Sequence, residues 1–292
     1  MRLAAVKLNG IETAGLVTER GVAMLRNVNE AMKQSWPTDL FELIASGQWE
    51  ALLQWYKGQG KAALEGMDSL WMRKDGLEFA PLYRHPRKIW GIGLNYVAHA
   101  ADLHEQAPDQ EPASFMKPDT TIIGPGDTIE IPRQSERTTA EAELGVIIGK
   151  ECKNISEREA LNVIAGFTAI IDMTAEDILQ KNPRFLTRSK SFDTFFSFGP
   201  ELLTPDEVPD LFGLKVATVI NGSVCRENIV AHMTFNPLYL VAFHSQVMTL
   251  LPGDIISTGT PGAAAIRNGD TVECRIDGFP SLFNTVIDLK QG

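Results

Sequence analysis

Glu141-Ala142-Glu143-Leu144-Gly145-Val146-Ile147-Ile148-Gly149 sets two acids into a run that is otherwise apolar. Successive side chains on a strand point to opposite faces, so residues two apart share one. Glu141 and Glu143 therefore present two carboxylates side by side. Like charges that close are tolerated when solvated, which is the commoner setting for acidic residues, or when a cation sits between them. A cation held by oxygen ligands alone would be Mg²⁺, Mn²⁺ or Ca²⁺ rather than zinc.

Asp172 changes the weighing. It closes the run Val163 to Ile171, which is apolar apart from Thr168 and reads as a strand buried on both faces. Taken alone, it reads equally well as the N-cap of a helix beginning near Thr174. Three acids on two buried strands are harder to dismiss than one. Glu141, Glu143 and Asp172 are the expected metal ligands, with room left for water and a chelating substrate.

Outward from these strands, the pattern from Lys88 onward is one of short apolar segments bounded by turn residues. IWGIGL, TIIG, VIAGFTAIID, LKVATVING, DIISTGT, DTVECRI and NTVIDL are mostly rich in β-branched residues. Helical interludes are few: Ser156 to Ala165 with Ser156 as N-cap, Thr174 to Gln180, and Asn236 to Met248. The expected class is α+β, mainly β, without regular βαβ alternation. The first stretch differs. Short alternating segments (Arg2 to Leu8, Thr18 to Met24) precede helix-like periodicity over Asn29 to Gln34 and Asp39 to Gly58, and no chemical cluster appears. Pro81, Pro86 and the basic residues Arg84, Arg87 and Lys88 mark a boundary. The expected organisation is a small α/β N-terminal domain over 1–80 and a catalytic domain over 81–292.

Composition sets the outer limits. With 292 residues, 44% hydrophobic and 22% charged, the chain can bury a full core without staples. No apolar run approaches the roughly 20 residues of a membrane span. The start, MRLAAVKLNG, breaks at Lys7 and Asn9 before an export-type apolar segment forms, so residence in the cytoplasm is expected. A formal net charge of −10 argues against nucleic acid or an anionic membrane as partner. Cys152, Cys225 and Cys274 are far apart and lack CxxC spacing, so neither a disulfide framework nor a thiolate zinc site is suggested.

Three further clusters carry chemistry. Lys190, in Thr187-Arg188-Ser189-Lys190-Ser191-Phe192-Asp193-Thr194, has Phe185, Phe192, Phe195, Phe196 and Phe198 around it. Such crowding suggests partial burial, and a buried ammonium needs an anion beside it. Gly91-Ile92-Gly93-Leu94-Asn95-Tyr96-Val97-Ala98-His99 lacks the third glycine of a dinucleotide fingerprint. His99 and Asp102 share a face if that segment turns helical, as a base and its orienting carboxylate would. Pro252-Gly253-Asp254-Ile255-Ile256-Ser257-Thr258-Gly259-Thr260-Pro261-Gly262 reads as a buried strand ending in a glycine-rich turn. Its backbone N–H groups can hold an oxygen, although glycine is equally expected there for the turn alone.

Taken in order over Lys88 to Val286, these segments resemble the fumarylacetoacetate hydrolase family: GLNYVAH, SFMKP around Lys117, the ExE strand, the turn containing Asp172, RSKSFDTF, NGSV, MTLLPGD and STGTPG. The resemblance implies a mixed β-roll or β-sandwich catalytic domain, commonly a homodimer, with Mg²⁺ or a similar ion on Glu141, Glu143 and Asp172. It further implies that Lys190 contacts substrate, that Thr260 holds the oxo-acid end beside Gly259, and that His99 activates water on a lid loop. Tyr96, Lys117 and Arg188 complete the expected substrate-binding set. The chain departs from the family pattern at Asp102, where Glu is usual, at Glu176 to Gln180, by one inserted residue before Lys190, and at Gly262-Ala263-Ala264-Ala265.

The expected function is a divalent-metal-dependent hydrolase that cleaves a C–C bond in a 2-oxo or 1,3-dicarbonyl acid through an enolate. Lys190 would share the enolate charge, and His99 with Asp102 would deprotonate water. The same enolate also serves a decarboxylase, an isomerase of an enol-dioate such as 2-hydroxyhepta-2,4-diene-1,7-dioate, or a hydratase. A third reading is a non-catalytic relative that binds an oxo acid.

Overall fold

A computed structural model describes residues 1–97 and 108–291. Its centre is an antiparallel pair of long strands, Thr138–Ile148 and Ile164–Ala175, every residue of which is buried. Strands buried on both faces need apolar or paired side chains throughout, and both segments have them. Among the described residues, a thirteen-stranded sheet runs around this pair. On one side come Phe196–Leu203, Arg2–Leu8, Ile11–Thr18 and Gly21–Met24; on the other come Ile255–Ser257, Ile89–Gly93 and the terminal strand Ala113–Lys117. A second sheet, in the order Ser223–Ile229, Lys215–Ile220, Thr271–Ile276, Leu282–Asp288 and Thr128–Ile131, packs against the first. The architecture is mixed and mainly strand, as the sequence pattern leads one to expect.

The two faces of the central strands meet different neighbours. Ala140, Ala142, Leu144 and Val146 join Val216, Val272, Cys274 and Leu282 of the second sheet in one core. The opposite face carries Ile147 and Ile170, which join Leu40, Leu43, Trp49 and Leu52 from the N-terminal helices in another. Trp49 adds a bond there, donating Nε1–H to the Gly149 carbonyl at 3.2 Å. The first residues thus extend the large sheet through pairing of Arg2 with Leu203 and Ala4 with Glu201.

Helix boundaries depart from the sequence reading: the first helix is Leu25–Met32 rather than Asn29 to Gln34, and the stretch from Asp39 is broken at Gly47 into Leu40–Ala45 and Gln48–Trp55. The helix after Ser156 covers only Glu157–Ala160, with a capping box between Ser156 and Glu159, and strand resumes at Ile164. Thr174 belongs to the strand, and the helix that follows is Glu176–Lys181 with Ala175 at its N-cap position. Asp172 is therefore not a helix cap. Asn236 caps Pro237–Val247, and Asp39 caps Leu40–Ala45 by accepting from the Glu42 N–H. Among the described residues no helix is long and apolar enough to cross a membrane. The three cysteines are free thiols.

Candidate metal centre

Register assembles the site. Antiparallel pairing sets Glu141 directly opposite Asp172 and Glu143 opposite Ile170, so the three acids lie on one face of the hairpin. Each of the three offers a carboxylate oxygen within 4.8 Å of the others, and all three are buried. Three carboxylates in so small a space repel strongly unless cations intervene.

Two lysines do. Lys190, last residue of the helix Leu186–Lys190, donates from Nζ to Asp172 Oδ2 at 2.6 Å and Glu141 Oε2 at 2.9 Å. Lys117, at the end of the strand Ala113–Lys117, donates to Asp172 Oδ1 at 2.6 Å and to the backbone carbonyl of Lys190. The Phe115 ring covers the Lys190 ammonium, with its centroid 4.9 Å away. Neutral groups complete the shell. Thr174 Oγ1–H donates to Glu141 Oε1 at 2.7 Å, and the Ser257 hydroxyl and Gly259 N–H both donate to Glu143 Oε2, the latter at 2.7 Å. Gly259 has φ +96°, and a Cβ there would lie 2.8 Å from the Asn95 Cβ. Only glycine brings that N–H to Glu143 without a clash.

The charges respond to this packing. Burial, reinforced by Asp172 and Glu141, pushes the Glu143 carboxyl up to about 8. Burial would raise Asp172 as well, but the adjacent Lys117 and Lys190 hold it below its ordinary value. Lys190 is the reverse case: burial works to lower it, and the charges of Asp172, Glu141 and Glu143 hold it above the ordinary lysine value. For Lys117, burial outweighs Asp172 and the value falls.

Other residues singled out in the sequence make their hydrogen bonds elsewhere among the described residues, or make none. Tyr96 is fully buried, its hydroxyl has no hydrogen-bond partner among the described residues, and burial followed by the Glu143 charge raises its phenol above the ordinary value. Thr260 is buried and bonds within its own turn, donating to the Gly262 carbonyl at 3.1 Å. Arg188 is exposed and donates to Gln134 at 3.0 Å. His99 and Asp102 lie outside the described residues. Thr174 and Ser257 were not anticipated. Thr174 was findable, since it follows Asp172 by two and so shares its face.

A divalent ion fits this donor set. The ligand atoms are carboxylate oxygens with no thiolate or imidazole among them, which suits hard cations, and the acids outnumber the lysines.

Residues 88–287 match the family described as fumarylacetoacetate (FAA) hydrolase C-terminal. The chain belongs to that family. Among its relatives, the mitochondrial oxaloacetate tautomerase fahd2 of Xenopus laevis is 34% identical over 266 residues, covering 88% of this chain and 81% of that one. Among solved structures, the 5-carboxymethyl-2-hydroxymuconate delta-isomerase of Mycobacterium smegmatis has a TM-score of 0.75 at 28% identity, over 99% of each chain. The maleylpyruvate hydrolase of Sphingobium sp. SYK-6, solved with manganese(II) and pyruvate, has a TM-score of 0.78 at 26% identity, again over 99% of each chain. One scaffold therefore carries tautomerases, isomerases and hydrolases.

Proposed function

We propose that the chain is a divalent-metal-dependent enzyme that enolises a 2-oxo acid, with tautomerisation of a 2-oxo dicarboxylate such as oxaloacetate as its reaction. The observation that carries this reading is the buried set of Glu141, Glu143 and Asp172 with Lys190 on two of them. Those three carboxylates would hold the ion, which when bound acts as a Lewis acid on the 2-oxo group. Lys190 holds a positive charge beside Glu141 and Asp172, where the oxygen of an enolate shares it. Phe115 excludes water from one side of that ammonium, which strengthens its pull on an anion. Gly259 orients Glu143 through its N–H, so this acid stays aimed into the centre.

Enolisation moves one proton between the 2-oxygen and the neighbouring carbon and consumes no water, and the tautomerase relative matches most of this chain. Hydrolysis of an acylpyruvate is the second reading, favoured by the likeness to the maleylpyruvate hydrolase that binds pyruvate. It needs a base for water, the role expected of His99.

An assay of enol-to-keto conversion of oxaloacetate, run beside cleavage of a panel of acylpyruvates with Mg²⁺ and Mn²⁺, separates the two. The expected result is acceleration of oxaloacetate tautomerisation that disappears on chelation. Unaltered activity after exhaustive chelation would sink the metal reading. A higher kcat/KM for cleavage of an acylpyruvate than for tautomerisation would favour the hydrolase.

A further inference from the structure

Lys117 stands in a different position from Lys190. Its side chain is fully buried, and its ammonium is already committed to Asp172 and to the carbonyl that ends the helix Leu186–Lys190. It ties together a terminal strand, that helix and one of the central strands. With Lys190 on Asp172 Oδ2 and Lys117 on Asp172 Oδ1, both oxygens of this carboxylate carry an ammonium. Three carboxylates and two lysines leave a formal charge of −1; a divalent ion would bring it to +1. A metal entering the triad must therefore share with a lysine an oxygen that the lysine holds.

We propose that Lys117 is a positioning residue that keeps the triad assembled when no metal is bound and competes with the metal for Asp172. The inference rests on the metal reading of the site. Like charges a few ångströms apart in a buried setting are costly, so Lys117 weakens metal binding while stabilising the metal-free fold. A residue that only touched substrate would affect neither. A residue that only filled space would affect the metal-free and metal-loaded protein alike.

The test uses Lys117→Met and Lys117→Arg in the full chain, with Mn²⁺ affinity measured by calorimetry and thermal unfolding followed with Mn²⁺ and with chelator. Lys117→Met is expected to bind Mn²⁺ roughly tenfold more tightly than the parent. Its chelated form is expected to melt about 5 °C lower, and Mn²⁺ should restore most of that loss. Lys117→Arg, which keeps the charge, should bind Mn²⁺ within about twofold of the parent. Recovery of folded Lys117→Met only in the presence of Mn²⁺ would be the same coupling in stronger form. Unchanged or weaker Mn²⁺ binding by Lys117→Met overturns the proposal, as do equal melting losses in both states or failure to fold in both. Absence of Mn²⁺ binding by the parent protein would instead overturn the metal reading beneath it.

Discussion

One face of the central hairpin is finished in two different ways. At the end bearing Ile147 and Ile170 it meets Leu40, Leu43 and Trp49 in a dry apolar cluster. At the other end, a few residues along the same two strands, it bears Glu141, Glu143 and Asp172 and meets lysines. Both ends are equally buried, so burial alone does not mark the site. The first end gains from every group it takes out of water, while the second loses from each charge it desolvates and recovers only what pairing returns. The three acids of this cluster lie close enough together to hold a metal ion.

The contrast breaks most sharply at Asp172. Asp172→Ala would leave two buried lysines without their common acid, and a loss of about 3–5 kcal/mol in denaturant unfolding is expected together with loss of Mn²⁺ binding. At the apolar end, Ile147→Ala should cost about 3 kcal/mol through its cavity while Mn²⁺ affinity measured by calorimetry stays at the parent value. If that affinity changed markedly, the two ends would not be independent. Glu143→Gln sharpens the comparison differently: a neutral amide replaces a carboxyl that burial already holds largely protonated at neutral pH, so chelated protein should unfold within about 1 kcal/mol of the parent. Its oxaloacetate turnover in the presence of Mn²⁺ should nevertheless fall by about a hundredfold or more.

The smallest effect concerns a buried polar group belonging to neither end. His244 is fully buried against Trp90 and donates Nδ1–H to the Leu240 carbonyl, leaving Nε2 without a partner among the described residues. Burial lowers its value below the ordinary 6.5, so the fold holds the neutral ring. Its contribution is complete above pH 6.5 and is lost as pH falls below that toward the folded value. Stability profiles of the parent and His244→Phe should run parallel above neutrality and change their separation on the acid side; profiles parallel throughout would assign the acid limb elsewhere.

Much of the site was legible because strand periodicity is local. The two-residue spacing of Glu141 and Glu143 and the apolar runs around them are enough to place two acids on one face. That Asp172 faces Glu141 is not legible, since register depends on pairing across the connection from Gly149 to Val163. Lys117 was expected to meet substrate through a resemblance of its SFMKP segment. Its bond to Asp172 follows from the terminal position of its strand, which only the assembled sheet reveals. Arg2–Leu8 was legible as an alternating segment and Ile11–Thr18 was not, and nothing local shows that Arg2–Leu8 would pair with Phe196–Leu203, nearly two hundred residues away. Long-range pairing is set by the global core, not by neighbouring residues.

The pairing of Glu141 with Asp172 also bears on how such a protein can change its activity over time. Register is a discrete quantity: strands slip by whole residues, and a slip of one sends every side chain to the opposite face. The acid constellation therefore has no neighbouring variants to explore by small steps; it is kept entire or destroyed. What can drift gradually is the surrounding loops and their side chains. Diversity of reaction on one scaffold is then the expected outcome of a centre locked by arithmetic and a periphery that is not.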